Sequence, residues 1–139
     1  MVVHMVARLE GETRGAESAT VTIRLTREAP SAPDGSDGVV LGTLSADMVA
    51  DAPIQVLSSR RGGLQVVGDR VTEIVPPAKR HPISLVFRLL PTVAGSGTAV
   101  LVVKQSSVRL TLSIRLPIDP GTPPTFGEGR TVNATVAFG

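Results

Sequence analysis

The 139-residue sequence predicts an all-β fold, an antiparallel sandwich of about seven to nine short strands. The first observation behind this is the stretch Gly95 to Leu116. Val108, Leu110, Leu112, Ile114 and Leu116 alternate there with Arg109, Thr111, Ser113 and Arg115, so one face of an extended chain is dry and the other wet. Just upstream, Ala99 to Val103 is continuously apolar, as expected of a central strand contacted on both faces. The second observation is the recurrence of turn residues between such segments at intervals of about 8 to 12 residues. Composition is the third. Aromatic residues make up 2%, all of them Phe, which leaves a core of Val, Leu, Ile and Ala, and the β-branched share favours strands.

The remaining elements follow in order. Residues 2 to 10 alternate Val3, Met5, Ala7 and Leu9 with His4, Val6, Arg8 and Glu10. After a polar connection, Ala19 to Arg27 turns Val21, Ile23 and Leu25 inward, and the two segments are expected to pair as a hairpin. Glu28 to Gly38 has the Pro, Ser, Asp and Gly content of a surface loop. Val39 to Leu44 reads as a short strand, and Ser45 to Asp51 as one helical turn with Ser45 as its N-cap. Pro53 to Ser59 returns to strand, Arg60-Arg61-Gly62-Gly63 turns the chain, and Leu64 to Val67 and Val71 to Val75 are two further strands. Pro76-Pro77 ends the second, because proline donates nothing to a ladder. Pro82 to Leu90 carries Ile83, Leu85, Phe87 and Leu89 on one face, and 91 to 97 is a corner leading to the central pair. Pro117 to Gly129 is rich in Pro and Gly, and Val132, Ala134, Val136 and Phe138 then alternate with Asn133, Thr135 and Ala137. The expected organisation is a sandwich over 1–118, a linker over 119–130, and a C-terminal strand over 131–139. That strand adds to a sheet edge, in its own chain rather than a partner's, with strand exchange as the alternative. A barrel competes as architecture, but the unequal loops at 28–38 and 117–129 suit Greek-key crossings better.

Composition excludes several function classes. A chain of this length buries roughly 68% of the surface its unfolded form exposes, so it needs no staple. The absence of cysteine removes disulfides and thiolate metal sites. No apolar run approaches the ~20 residues of a membrane-spanning helix, and the first ten residues lack the basic start and apolar core of a signal peptide. The expected location is the cytoplasm, unless the chain is excised from a longer or exported protein. Formal charge is +2, and twelve of the fourteen basic residues are Arg, set mostly one at a time along polar strand faces.

The run from Pro53 to Ile118 resembles bacterial immunoglobulin-like sandwich modules. The resemblance rests on Gly-Gly-Leu-Gln-Val-Val at 62–67, Pro-Ile-Ser-Leu-Val-Phe-Arg-Leu at 82–89, Gly-Ser-Gly-Thr-Ala-Val-Leu-Val-Val at 95–103 and Leu-Thr-Leu-Ser-Ile-Arg-Leu at 110–116. It is similar in particular to the modules accompanying caspase-like (CHAT) peptidases and other multi-domain effector proteins. The resemblance implies an accessory binding or spacer domain, without catalysis. The sequence departs from antibody-type domains in having no cysteine pair, no core Trp and no Tyr for a tyrosine corner.

Catalytic constellations are hard to assemble from the residues. His4 lies on a polar strand face, His81 sits between Arg80 and Pro82, and neither has a nucleophile and a third orienting group nearby in sequence. Asp34 and Asp37 share one loop, and Asp47 and Asp51 flank the expected helical turn, without the ligand spacing of a calcium loop. The glycines at 62, 63, 95 and 97 precede no phosphate-loop Lys and Ser/Thr. The residues therefore point to no catalytic site, no cofactor and no metal. Two readings remain. One is an interaction or spacer module for a protein partner or neighbouring domain, as a monomer or a strand-exchanged dimer. The other is a polyanion binder, nucleic acid above all, using Arg24, Arg88, Lys104, Arg109 and Arg115 as a basic stripe if their faces coincide.

Overall fold

A computed structural model describes residues 1–11, 13–29 and 38–138. It is an antiparallel β-sandwich with eleven strands among the described residues. In chain order they are β1 (Val2–Glu10), β2 (Ala19–Thr26), β3 (Val39–Asp47), β4 (Ile54–Gly62), β5 (Leu64–Val67), β6 (Val71–Ile74), β7 (Ile83–Pro91), β8 (Gly95–Gln105), β9 (Val108–Asp119), β10 (Thr125–Phe126) and β11 (Thr131–Phe138). One sheet has the order β3-β1-β2-β7-β5. The other runs β10-β9-β8-β4-β6, with β11 also paired to β9. No helix among the described residues is long and apolar enough to cross a membrane.

The two sheets meet through the alternating apolar sets. Val3, Met5, Ala7 and Leu9 of β1 and Ala19, Val21, Ile23 and Leu25 of β2 face Leu101 and Val103 of β8 and Leu110, Leu112, Ile114, Leu116 and Ile118 of β9, all of them buried. The β8–β9 pair is the longest ladder, with Leu101 opposite Leu112, and closes through Ser106 and Ser107. Ser106 has φ 53°, in the left-handed region that non-glycine residues rarely occupy. Val100 and Val102 differ from expectation. They are half-buried on the water side of β8, where no further layer among the described residues covers them.

Three segments also depart from the sequence reading. The helical turn expected over Ser45 to Asp51 is absent, because β3 runs on to Asp47 against Val2, Val3 and His4 of β1. Arg60 and Arg61 do not turn the chain but remain in β4, opposite Ala99 and Thr98. Residues 119–130, expected as a linker, contain β10 and the fully buried Phe126. The strand count exceeds the expected range partly for this last reason, since a two-residue strand leaves no periodicity to read. The acids Asp34 and Asp37 lie outside the described residues.

From β3 to β8 the chain changes sheets at every step, and two features hold these crossings. Gln105, buried at the end of β8, accepts from Val49 N at 2.7 Å and donates to the carbonyls of Val49 (2.8 Å) and Ala52 (2.9 Å). Its amide is thereby satisfied while it anchors the β3–β4 crossing. At the β4–β5 crossing, Gly63 N donates to Ser96 O, and Gly63 O accepts from Thr92 N, Val93 N and Thr92 Oγ1. A Cβ on Gly63 would collide with Val93 O, and one on Gly97 would lie 2.7 Å from Leu64. Gly63→Ala is therefore expected to lower stability by about 1 to 3 kcal/mol in a denaturant titration. An unchanged midpoint would show that the corner opens without cost.

Candidate functional site

The five basic residues are all on outward strand positions, as alternation requires, but they do not form one stripe. Arg24 on β2 and Arg88 on β7 are exposed on one sheet, whereas Lys104 on β8 and Arg109 and Arg115 on β9 belong to the other. The two groups therefore lie on opposite faces, separated by more than the ~10 Å between packed sheets. Within the second group Lys104 and Arg109 are direct cross-strand neighbours. Like charges so placed repel, and neither forms an ion pair among the described residues.

Arg115 stands at the other end of that face, where an open groove of about 560 Å³ is lined by Gly95, Ser96, Arg115, Pro117 and residues 128–131. The groove forms where β8 begins, β9 nears its end and the chain enters β11. Arg115 Nη2 donates to Ser96 Oγ at 3.2 Å. Glu128 on the rim lies 4.0 Å from Arg14, with both side chains exposed, a contact that adds little in water.

The two histidines lie in different elements, His4 in β1 and His81 in the turn before β7. His4 Nδ1 and Ser45 Oγ are 2.7 Å apart, a cross-strand contact between β1 and β3 that is invisible in sequence because the residues are 41 positions apart. The His4 row of the sheet is completed by Thr26 on β2. His81 is exposed in the turn closed by the Ala78–His81 bridge. Among the described residues no group of three or more His, Asp or Glu is arranged to hold a metal ion.

The feature with the clearest capacity for recognition is an edge. β11 pairs with β9 from Thr131 opposite Arg115 to Phe138 opposite Val108 without a register shift, and its other side has no strand beside it among the described residues. Val132, Ala134, Val136 and Phe138 share the inward side, yet Phe138 is 71% exposed. Eight uncharged residues with no proline form a free edge lacking the usual protections against pairing.

No curated protein and no solved structure matches the chain. A family described as a domain of unknown function (DUF7363) matches residues 7–116. That range takes in both sheets from within β1 to Leu116 of β9 and leaves β10 and β11 outside it. Most of the sandwich is thus this family's own domain, and the chain belongs to the DUF7363 family.

Proposed function

We propose that the chain is a non-catalytic β-sandwich module that provides a protein-binding surface or spacer in a larger bacterial assembly. The observation that carries this reading is the β11 edge, which offers a full row of backbone donors and acceptors and an exposed phenyl ring with no charge to repel a neighbour. Strand addition of this kind draws its affinity from main-chain hydrogen bonds and its selectivity from alternate side chains. The likeness of residues 53–118 to immunoglobulin-like modules of multi-domain effectors supports the same reading. Polyanion binding is the second reading, favoured by the adjacent Lys104 and Arg109, neither of which has an ion-pair partner among the described residues. It is weakened by the placement of Arg24 and Arg88 on the opposite face.

Titrating labelled single- and double-stranded oligonucleotides into the full chain separates the two. Phosphate contacts make affinity fall steeply with salt, and the interaction module is expected to bind neither probe at physiological salt. Salt-sensitive binding lost in Lys104→Gln and Arg109→Gln would favour the polyanion reading. A hydrolase screen is expected to be blank, and activity that disappeared in His4→Ala or His81→Ala would overturn the non-catalytic assignment.

A further inference from the structure

We infer that β11 is the contact strand of a two-fold symmetric homodimer, in which the free edges of two β11 strands pair antiparallel about Thr135. The β10-β9-β8-β4-β6 sheet then continues through β11 from one copy into the next. This inference rests on the interaction-module reading and names the partner as a second copy of the chain.

Two of the other sheet ends, β5 and β6, are poorer candidates. β5 and β6 are four residues each, and β6 includes Glu73. β11 has eight residues, no charge, no proline, no glycine and an unbroken ladder on its inner side. Soluble chains normally blunt an edge of that length.

The strand is also complementary to itself. Side chains alternate with period two, so antiparallel self-pairing about a residue keeps each copy's inward set on the inward side. About Thr135, Val132 faces Phe138 of the second copy, and Ala134 faces its Val136. Asn133 faces Ala137, and the two Thr135 residues meet on the water side. The exposed ring of Phe138 is covered by an apolar neighbour, and no charges are brought together.

A second copy fits better than a lone foreign strand because the same flank carries a second open edge. β3 ends the other sheet and packs against β11 and β9. A Cβ on Gly42 would stand 3.3 Å from that of Ala134. The two-fold at Thr135, one residue from Ala134, therefore lies near the middle of β3, and brings its free edge towards the β3 of the second copy. Val39 and Val40, both exposed, lie on that approaching flank, and the single charge of β3, Asp47, sits at its end. A foreign strand would cover one edge, whereas an isologous contact covers both.

Sedimentation velocity on the full chain over a concentration series from micromolar to millimolar tests this, with Thr135→Lys and Thr135→Glu studied singly and mixed. Thr135 is exposed and opposite Thr111 on the water side, so either substitution leaves the β9–β11 ladder in place, which circular dichroism verifies. The native chain is expected to reach twice the monomer mass as concentration rises. Each variant alone is expected to remain monomeric, because like charges meet at the axis, and the equimolar mixture is expected to dimerise again. A native chain that stays monomeric throughout overturns the inference, as does a dimer indifferent to both substitutions. If either result came with blank oligonucleotide titrations and a blank hydrolase screen, the homodimer would fail while the interaction-module reading stood for a different partner.

Discussion

Phe126→Ala is expected to lower the stability of the isolated domain by about 3 to 5 kcal/mol, a large share of the roughly 5 to 15 kcal/mol of a typical domain. Phe126 is fully buried and the bulkiest such side chain among the described residues. Its ring lies where the end of β9 meets the β1–β2 connection, and its backbone ties the two together. Phe126 N donates to Ala16 O at 2.9 Å, Phe126 O accepts from Gly15 N at 2.7 Å, and β10 pairs with Ile118 and Asp119. Removing the ring leaves a cavity that these bonded strands cannot collapse to fill. Phe138→Ala, on a residue 71% exposed in the single chain, is expected to change the monomer's midpoint far less. Truncation after Asp119 removes Phe126 together with β11, so it should combine the first loss with exposure of the β9 edge and promote aggregation. Denaturant titration with light scattering checks all three. A truncated chain that melts with the native one and stays monomeric would show that residues 120–138 add nothing to the fold.

The sequence revealed strands where alternation was long, and failed where the deciding contact was distant. The β8–β9 hairpin was legible because strict period-two patterning on both sides of a short polar turn leaves one plausible pairing. Ser45 to Asp51 carried a local helix-start signal, but backbone pairing with β1, more than 40 residues earlier, overrides it. Arg60-Arg61-Gly62-Gly63 had the composition of a turn, yet the strand ends only before Gly63 because Arg60, Arg61 and Gly62 have partners on β8. Phe126 was obscured by the Pro and Gly around it. In the basic set, alternation correctly turned each side chain outward. Which sheet each strand joins is a matter of topology, and that placed Arg24 and Arg88 on a different face from Lys104, Arg109 and Arg115.

Leu112→Ala is expected to cost about 2 to 5 kcal/mol. Leu112 is 1% exposed, with Leu101 on one side in the sheet and Ala134 on the other. Across the sandwich it meets Gly42 of β3, where a Cβ would stand 3.5 Å from Leu112 Cδ1 and 3.3 Å from the Cβ of Ala134. The glycine therefore accommodates a large side chain opposite it, and truncating that side chain leaves space next to a residue that has nothing to fill it. Thr111→Ala, one position away on the water side, is expected to stay within about 0.5 kcal/mol of the native chain, as surface changes usually do. Equal losses for the two would mean that the inward and outward sides of β9 have been exchanged. The pairing with Gly42 adds a sharper criterion. In the native background the methyl of Gly42→Ala is tight against the Cβ of Ala134 and in ordinary contact with Leu112, whereas beside Leu112→Ala it can shift away from Ala134 into the vacated volume. The double variant is therefore expected to be more stable than the sum of the single losses allows, by about 0.5 kcal/mol or more. Strict additivity in that cycle would show that β3 and β9 do not share this part of the core.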